Sequence, residues 1–387
     1  MTIKFTPQQD EAIREVVEWL NEHGSPQLFR LFGYAGTGKT TIAKEVAGEI
    51  GGDVMFGAFT GKAAQVMRNK GCSDAQTIHS MIYDVTEGEG GEAIFSLKMK
   101  GDCDVSDAKL VIIDECSMVG EELARDLMSF GTKILVIGDP AQLPPVKGSG
   151  FFTEAEPDVM LTEIHRQARE NPIIAMSMTV REGGVLDYGA YGSSRVISRD
   201  ELEPEEVLGA DQVLVGLNRT RTVYNQRMRQ LIFGERFQPL PLVGDKLVCL
   251  RNDRKKQIFN GGLWKATDVA FWEVRRKNKK PGGKKKVLRT DENFLRLYLD
   301  SLDEEGVQKS AKVRREFFLG QEGKLEWTDK IDSQEFTYGW TLTVHKSQGS
   351  QFDNVLIFDE SAAFREDARR HLYTAITRAA QKVTVVR

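Results

Sequence analysis

The residues best suited to chemistry stand close together. Gly33, Gly38, Lys39 and Thr40 fill the four fixed positions of a G-x-x-x-x-G-K-T spacing, in the stretch Gly33-Tyr34-Ala35-Gly36-Thr37-Gly38-Lys39-Thr40. An apolar run precedes it at residues 28–32, and a run with helical character follows at residues 41–47. A strand, a glycine-rich turn and a helix start are the context a phosphate-binding loop requires. Around Gly36, Thr37 and Gly38 the backbone N–H groups can close on phosphate oxygens, because the glycines carry no Cβ to block the approach. The positive end of the helix dipole faces the same anion. Lys39 can reach the terminal phosphates, and the Thr40 hydroxyl can ligate Mg²⁺. A plain strand-to-helix turn would not need all four positions, so the chain is read as binding a nucleotide.

Other groups could complete a hydrolytic site. Leu110-Val111-Ile112-Ile113-Asp114-Glu115 reads as a buried parallel strand ending in two carboxylates, and strand ends carry the chemistry in open α/β sheets. Asp114 is expected in the Mg²⁺ shell, and Glu115 is expected to orient or deprotonate an attacking water. The next strand leads into Asp139-Pro140-Ala141-Gln142, which places Gln142 to sense a γ-phosphate. Arg166, in His165-Arg166-Gln167, could reach the nucleotide across an interdomain cleft, although a surface ion pair is the ordinary role of a lone arginine. Near the N-terminus, Thr6 reads as an N-cap with Pro7 at the first helical position. Gln9 then lies in the first turn. Its amide can donate to and accept from an adenine edge, selecting ATP, or it can simply be solvated.

These groups need a scaffold. A length of 387 residues suggests several domains. The composition, 40% hydrophobic and 28% charged, is that of an ordinary globular protein. No apolar run approaches a membrane span, and the N-terminus shows no signal-peptide core. Cys72, Cys103, Cys116 and Cys249 are scattered, which indicates neither a zinc site nor a disulfide framework and suits a reducing cytosol. Lys plus Arg total 53 against 57 Asp plus Glu, a net charge of −4. A nucleic-acid partner would therefore be held by local patches and backbone amides, not by the field of the whole molecule.

The remaining segments follow in order. Thr60-Gly61-Lys62-Ala63-Ala64 and Thr77-Ile78-His79 stand where strands give way to helices. Their hydroxyls suit phosphodiester contacts or plain capping. Residues 81–107 read as an inserted β-hairpin with an acidic, glycine-rich turn. Phe95, after that turn, could meet a base pair or pack the hairpin's own base. A second α/β unit starts at residues 213–218, and short strands dominate from about Gly244. Residues 275–286 carry many positive charges and no acid, as a solvated hairpin tip or a phosphate contact would. Residues 303–318 read as an amphipathic helix. Core strands return at residues 340–344 and 354–358, followed by a helix over 371–379 and a last strand.

The order of these motifs resembles superfamily 1 helicases, and within them the 5′→3′ group, superfamily 1B, that contains RecD-like enzymes and the phage Dda helicase. The resemblance rests on Gln9, residues 33–40, the two hydroxyl-bearing segments, Asp114-Glu115-Cys116-Ser117-Met118, residues 138–145, His165-Arg166-Gln167, Val344-His345-Lys346-Ser347-Gln348-Gly349 and Tyr373-Thr374-Ala375-Ile376-Thr377-Arg378-Ala379. Phe59 departs from it, since proline is more usual before Thr-Gly-Lys, and residues 250–335 match only weakly.

The resemblance implies an α/β protein with two RecA-like P-loop lobes and ATP in the cleft between them. Lobe 1A would be residues 1–80 and 108–165, with 81–107 as a pin insertion, 1B. Lobe 2A would be residues 166–244 and 336–387, with a small SH3-like β-barrel, 2B, at 245–335. Lys39, Asp114, Glu115, Gln142, Arg166 and Arg378 would be catalytic. Gln9, Gly36, Thr37, Gly38, Lys39, Thr40 and Gly349 would hold ATP, and Thr40 and Asp114 the Mg²⁺. Thr60, Lys62, Thr77, His79, Phe95, Thr343, His345 and Ser347 would meet DNA. The implied activity is ATP-dependent 5′→3′ translocation on single-stranded DNA with duplex unwinding. A translocase that remodels protein–DNA complexes and a nucleotide-switched binding module are the alternatives. Expected partners are single-stranded and forked DNA with single-strand-binding or replication proteins, for a monomer in the cytoplasm of a bacterium or phage-infected host, with no membrane.

Overall fold

The computed structural model describes residues 5–87, 93–144, 150–164, 170–253, 255–276, 287–326 and 328–387. Thr222–Thr341 forms one compact unit, and the rest of the described chain forms another.

The larger unit opens with the strands β1 (Leu28–Gly33), β2 (Val54–Ala58) and β3 (Gln76–Thr77). The hairpin strands β4 (Tyr83–Glu87) and β5 (Ala93–Leu97) follow, then β6 (Leu110–Asp114), β7 (Ile134–Gly138) and β8 (Val159–Leu161). Apart from the hairpin they form one parallel sheet in the order β3-β2-β6-β7-β1-β8. Both faces are covered, so the central strands read as unbroken apolar runs. Alternate residues still go to opposite faces. Leu110 and Ile112 pack with Ala12, Val16, Ile42 and Val46 on one side, while Val111 and Ile113 pack with Ile78, Leu123 and Leu127 on the other.

The chain continues through β9 (Gly189–Tyr191), β10 (Ser194–Ile197) and β11 (Gln212–Val215) into the second unit. That unit holds β12 (Lys246–Cys249), β13 (Leu263–Arg276), β14 (Val287–Ser301), β15 (Gln308–Arg314) and β16 (Phe336–Tyr338). β17 (Thr341–Thr343), β18 (Phe352–Phe358) and β19 (Ala379–Val386) then complete a second six-stranded sheet, ordered β17-β11-β18-β19-β10-β9. Within it β11, β18, β19 and β10 run parallel, and β9 is an antiparallel edge.

The base of the inserted hairpin is fixed from below. The Tyr83 hydroxyl donates to Asp126 Oδ2, and Lys98 Nζ donates to the carbonyls of Ser80 and Met81. The hairpin's tip, residues 88–92, and the lysine-rich segment 277–286 lie outside the described residues.

The smaller unit is a five-stranded antiparallel sheet, β15-β14-β13-β12-β16, with its own core. Leu295, Leu297 and Leu299 alternate inward along β14 against Leu247, Trp264 and Val313. The helix expected over 303–318 is not there. Ser301 Oγ accepts from the amides of Asp303 and Glu304, the chain turns through Gly306 at φ 76°, and β15 pairs with β14. Ala311 and Val313 face inward with a period of two, and this pairing overrides the helical charge pattern of the segment.

One buried ion pair ties the helix Asn218–Phe233 to this sheet's surroundings. Arg229 donates from Nε and Nη2 to the two oxygens of Asp245, and from Nη1 and Nη2 to the carbonyls of Gln238 and Leu240. Its guanidinium stacks on Tyr338 at 4.0 Å. Removing one partner strands the other charge. Asp245→Ala is therefore expected to cost about 3–5 kcal/mol in denaturant unfolding. A loss near zero would mean that the Arg229 charge is solvated after all.

Candidate functional site

The phosphate-binding loop forms as its residue types require. Gly36 and Gly38 both sit at φ 80°, a left-handed conformation that disfavours any side chain, and the helix Lys39–Ile50 starts directly after them. A Cβ on Gly38 would lie 2.6 Å from Gln9 Nε2. Gln9 itself is committed on both sides. Its Nε2 donates to Thr37 O at 2.9 Å, and its Oε1 accepts from Thr6 N–H at 2.9 Å in a capping box. In this structure Gln9 fixes the loop to the first helix. Thr37 is buried, with its hydroxyl on Tyr34 O. Lys39 Nζ rests on the carbonyls of Gly33 and Tyr34, at 2.6 and 2.9 Å.

Acidic groups converge on this loop. Thr40 Oγ1 donates to Asp114 Oδ2 at 3.1 Å. Glu115 follows at φ 52°, a costly conformation for a residue with a side chain, and its N–H donates to Asp114 Oδ1. Burial, and then the neighbouring Glu115 charge, push the Asp114 pKa up. Burial also raises that of Asp139, against the pull of the Lys39 cation. Lys39 and Lys70 line the same pocket and pull the Asp114 pKa the other way. Hydroxyl and carboxylate oxygens at this spacing are the hard donors that Mg²⁺ takes, so Thr40 and Asp114 fit that ion.

The second sheet supplies the remaining cation. Arg378 is buried just beyond the helix Ala368–Ile376, with Nε on Thr374 O and Nη1 on Ser350 O, both at 3.2 Å. Its Nη1 lies 3.9 Å from Glu115 Oε1. Lys39, Thr40, Asp114, Glu115, Gln142 and Arg378 line one cavity of about 190 Å³. Gln142 is buried there, and its Oε1 finds no partner among the described residues. Gly349, at φ 74°, lines the same cavity and lets the second sheet approach the first: a Cβ there would sit 2.9 Å from that of Ala63. Arg166 lies outside the described residues.

The proposed DNA contacts divide into groups. Thr60, Thr77 and Thr343 stand at the ends of strands or turns, and each caps a helix by accepting from Ala63, Ser80 and Lys346 N–H respectively. His79 sits among the rings of Phe59, Tyr83 and Phe95, with Phe95 54% exposed. His345 tilts against Phe364. Ser347 is 0% exposed and its hydroxyl donates to Val344 O at 2.7 Å, within a one-turn helix. Lys62, at 9% exposure, is also packed inside. The sequence reading gave no role to Tyr373, Thr374 or Gln348, although all three cross from the second sheet to the first. For Tyr373 and Thr374 the available signal was a polar tip within the largely apolar helix.

Comparisons with known proteins agree with this geometry. A family model described as an AAA domain matches residues 4–199, half of the chain, and a UvrD-like helicase C-terminal domain matches residues 338–386. The chain belongs to the family that this AAA-domain model describes, and its second match is to a helicase C-terminal domain. It is 28% identical over 370 residues to an ATP-dependent RecD2 DNA helicase from Deinococcus radiodurans, covering 93% of this chain and 47% of that protein. It is 25% identical over 398 residues to the RecBCD enzyme subunit RecD of Mycobacterium tuberculosis, covering 92% and 66%. The chain thus spans about half the length of the first of these relatives, or less than that of the conjugal transfer protein TraA of Rhizobium radiobacter (32%). Among solved structures, Bacteroides Pif1 bound to single-stranded DNA shares the fold at a TM-score of 0.56 and 18% identity, covering 99% of this chain and 92% of that one.

Arg378→Ala is expected to lower kcat for ATP hydrolysis by roughly 10²–10⁵, with nucleotide affinity nearly kept. Steady-state kinetics beside nucleotide binding decide this. A variant weakened only in binding would make Arg378 a ground-state contact.

Proposed function

We propose that the chain is an ATP-dependent DNA helicase that moves 5′→3′ on single-stranded DNA and separates duplex strands. One observation carries the reading: a single cavity joins the phosphate loop and carboxylates of one parallel sheet to a buried arginine of another. The two sheets act as the RecA-like lobes 1A (1–80, 108–165) and 2A (166–244, 336–387). The hairpin 81–107 serves as a pin, and the antiparallel sheet within 245–335 as an SH3-like insertion.

In this reading the amides around Gly36 and Gly38 hold the phosphates, and Lys39 leaves its loop carbonyls for the β- and γ-phosphates. Mg²⁺, when bound by Thr40 and Asp114, supplies charge neutralisation on those oxygens. Glu115 takes a proton from the attacking water. The unpartnered Gln142 Oε1 is an acceptor, so it suits that water's O–H better than a phosphate oxygen. Arg378 stabilises the charge developing on the γ-phosphoryl group, and Arg166 is assigned the same task. A cation supplied from the other lobe makes turnover depend on closure of the cleft. Single-stranded DNA is assigned to the strand-end segments bearing Thr60, Thr77, His79, Thr343 and His345, across both lobes. Relatives bearing the names RecD2 DNA helicase and Pif1 bound to single-stranded DNA support this ligand. No helix among the described residues is long and apolar enough to cross a membrane. A bacterial or phage-infected cytoplasm, ATP as fuel and a working monomer complete the proposal.

The hairpin separates unwinding from walking. Its base is anchored through Tyr83 and Lys98, and Phe95 stands out edge-on to His79 and Tyr83. Each base-pair step holds about 1.4 kcal/mol of stacking, so a motor on one strand needs something firm at the junction. A duplex with a 5′ single-stranded tail should be unwound and one with a 3′ tail should not. Phe95→Ala should reduce that unwinding several-fold while DNA-stimulated ATPase stays within about twofold. Preference for the 3′ tail overturns the direction. ATP hydrolysis with no strand separation on either tail supports the remodelling translocase instead.

A further inference from the structure

One buried oxygen joins three segments of the cleft. Tyr373, in the helix Ala368–Ile376, is 1% exposed. Its hydroxyl donates to Asp139 Oδ2 at 2.6 Å and accepts from the N–H of Ala35 at 2.9 Å. Asp139 follows β7 and begins the turn that carries Gln142, while Ala35 belongs to the phosphate loop. The other oxygen of Asp139 accepts from Ala141 N–H at 2.9 Å, which shapes the same turn. Burial raises the pKa of both Tyr373 and Asp139, and the Asp139 charge raises that of Tyr373 further, so the tyrosine keeps its proton and remains the donor.

The far end of that turn is held in the same way. Leu143 N–H donates to Thr374 Oγ1, and Leu143 O accepts from Gln348 Nε2, each at 2.9 Å. Residues 139–143 are thus gripped at both ends by side chains of the second sheet. Nearby, the Arg181 guanidinium stacks on the ring of Tyr34 at 3.7 Å and steadies the loop residue beside Ala35. Packing alone would be served by phenylalanine at position 373. The hydroxyl adds a contact that reads the phosphate loop and the Gln142 turn at once, five residues ahead of Arg378.

We propose that the Tyr373 hydroxyl is a positioning group for ATP turnover, holding the phosphate loop, the Gln142 turn and Arg378 in one register so that Gln142 meets the attacking water while Arg378 meets the reacting phosphoryl group. This rests on the reading of the cavity as an ATPase site. Without the hydroxyl, Asp139 Oδ2 loses a donor and Ala35 N–H an acceptor, and the turn is free to shift. Of the groups assigned to ATP itself, Lys39 and Thr40 are held by other bonds, to the Gly33 and Tyr34 carbonyls and to Asp114.

The test is Tyr373→Phe in the full chain. A misplacement of about 1 Å at a reacting centre costs on the order of 10²-fold, so kcat should fall by about that factor. KM for ATP should stay within about threefold, because binding and turnover are separated. The melting temperature and ADP affinity should match the parent protein, whereas the preference for ADP–aluminium fluoride over ADP should be lost, since that preference reports complementarity to the transition state. Asp139→Asn, whose single amide oxygen cannot serve both Tyr373 and Ala141, should also lower kcat, and the double variant should fall by less than the product of the two single effects, because they share the Tyr373–Asp139 bond. An undiminished kcat overturns the proposal. So does a joint loss of ADP affinity and melting temperature, which would make Tyr373 a packing residue, and so do additive effects in the double variant. If Tyr373→Phe does not fold, Asp139→Asn decides alone, with parental kcat overturning the proposal. A parent protein that hydrolyses no ATP removes the ATPase reading itself. Hydrolysis by the parent with an equally active Tyr373→Phe removes only the positioning role.

Discussion

Charge held away from water is the constraint on which the rest of the larger unit depends. Asp114, Glu115 and Asp139 gather where β6 and β7 end, and Lys39, Lys70 and Arg378 are cations that line the same cavity. Carboxylates in such a place are costly unless paired and hydrogen-bonded. Each bond described around them answers that cost: Thr40 on Asp114, Tyr373 and Ala141 on Asp139, and Arg378 beside Glu115. Two of these partners, Tyr373 and Arg378, come from the second sheet. Both sheets thus contribute groups that hold the site's charge. In the proposed function this is the coupling itself, because a γ-phosphate competes with Glu115 for the Arg378 guanidinium and so changes how firmly the sheets hold each other.

The loops at the strand ends show how one hydroxyl can serve two purposes. Thr60, Thr77 and Thr343 each satisfy an orphan amide at a helix start, which any short helix needs. For Thr60 and Thr343, accepting that bond leaves the hydroxyl's own proton able to donate, and phosphodiester oxygens are acceptors, whereas Thr77 Oγ1 also shares a hydrogen bond with Ser80 Oγ. Capping and DNA contact are therefore compatible. The buried Ser347 gives its proton to Val344 O.

How much of this was legible in the sequence follows from what each signal depends on. The phosphate loop could be read because Gly36, Gly38, Lys39 and Thr40 obey a local rule about backbone freedom and charge. Asp114 and Glu115 could be read because a run of apolar residues ending in acids is a strand end. Partnership across the fold could not be read this way. Gln9 looks like a free amide in sequence, but its two ends are taken by Thr6 and Thr37, one local and one distant. Tyr373 looks like core in an apolar helix, and only the meeting of two sheets reveals its oxygen's partners. Residues 308–314 carry charges that mimic a helix, and the strand appears only when β14 is available to pair. Where a residue's role is fixed by neighbours in sequence it was visible, and where it is fixed by tertiary contact it was not.

In the proposed function the cleft is an ATPase driven by single-stranded DNA, and steady-state hydrolysis with and without that DNA decides whether it is. Many turnovers per molecule are expected, accelerated by single-stranded DNA, with the acceleration fading as salt rises because phosphate contacts release counterions. A single turnover, or a multiple-turnover rate that single-stranded DNA leaves unchanged at low salt, would contradict it.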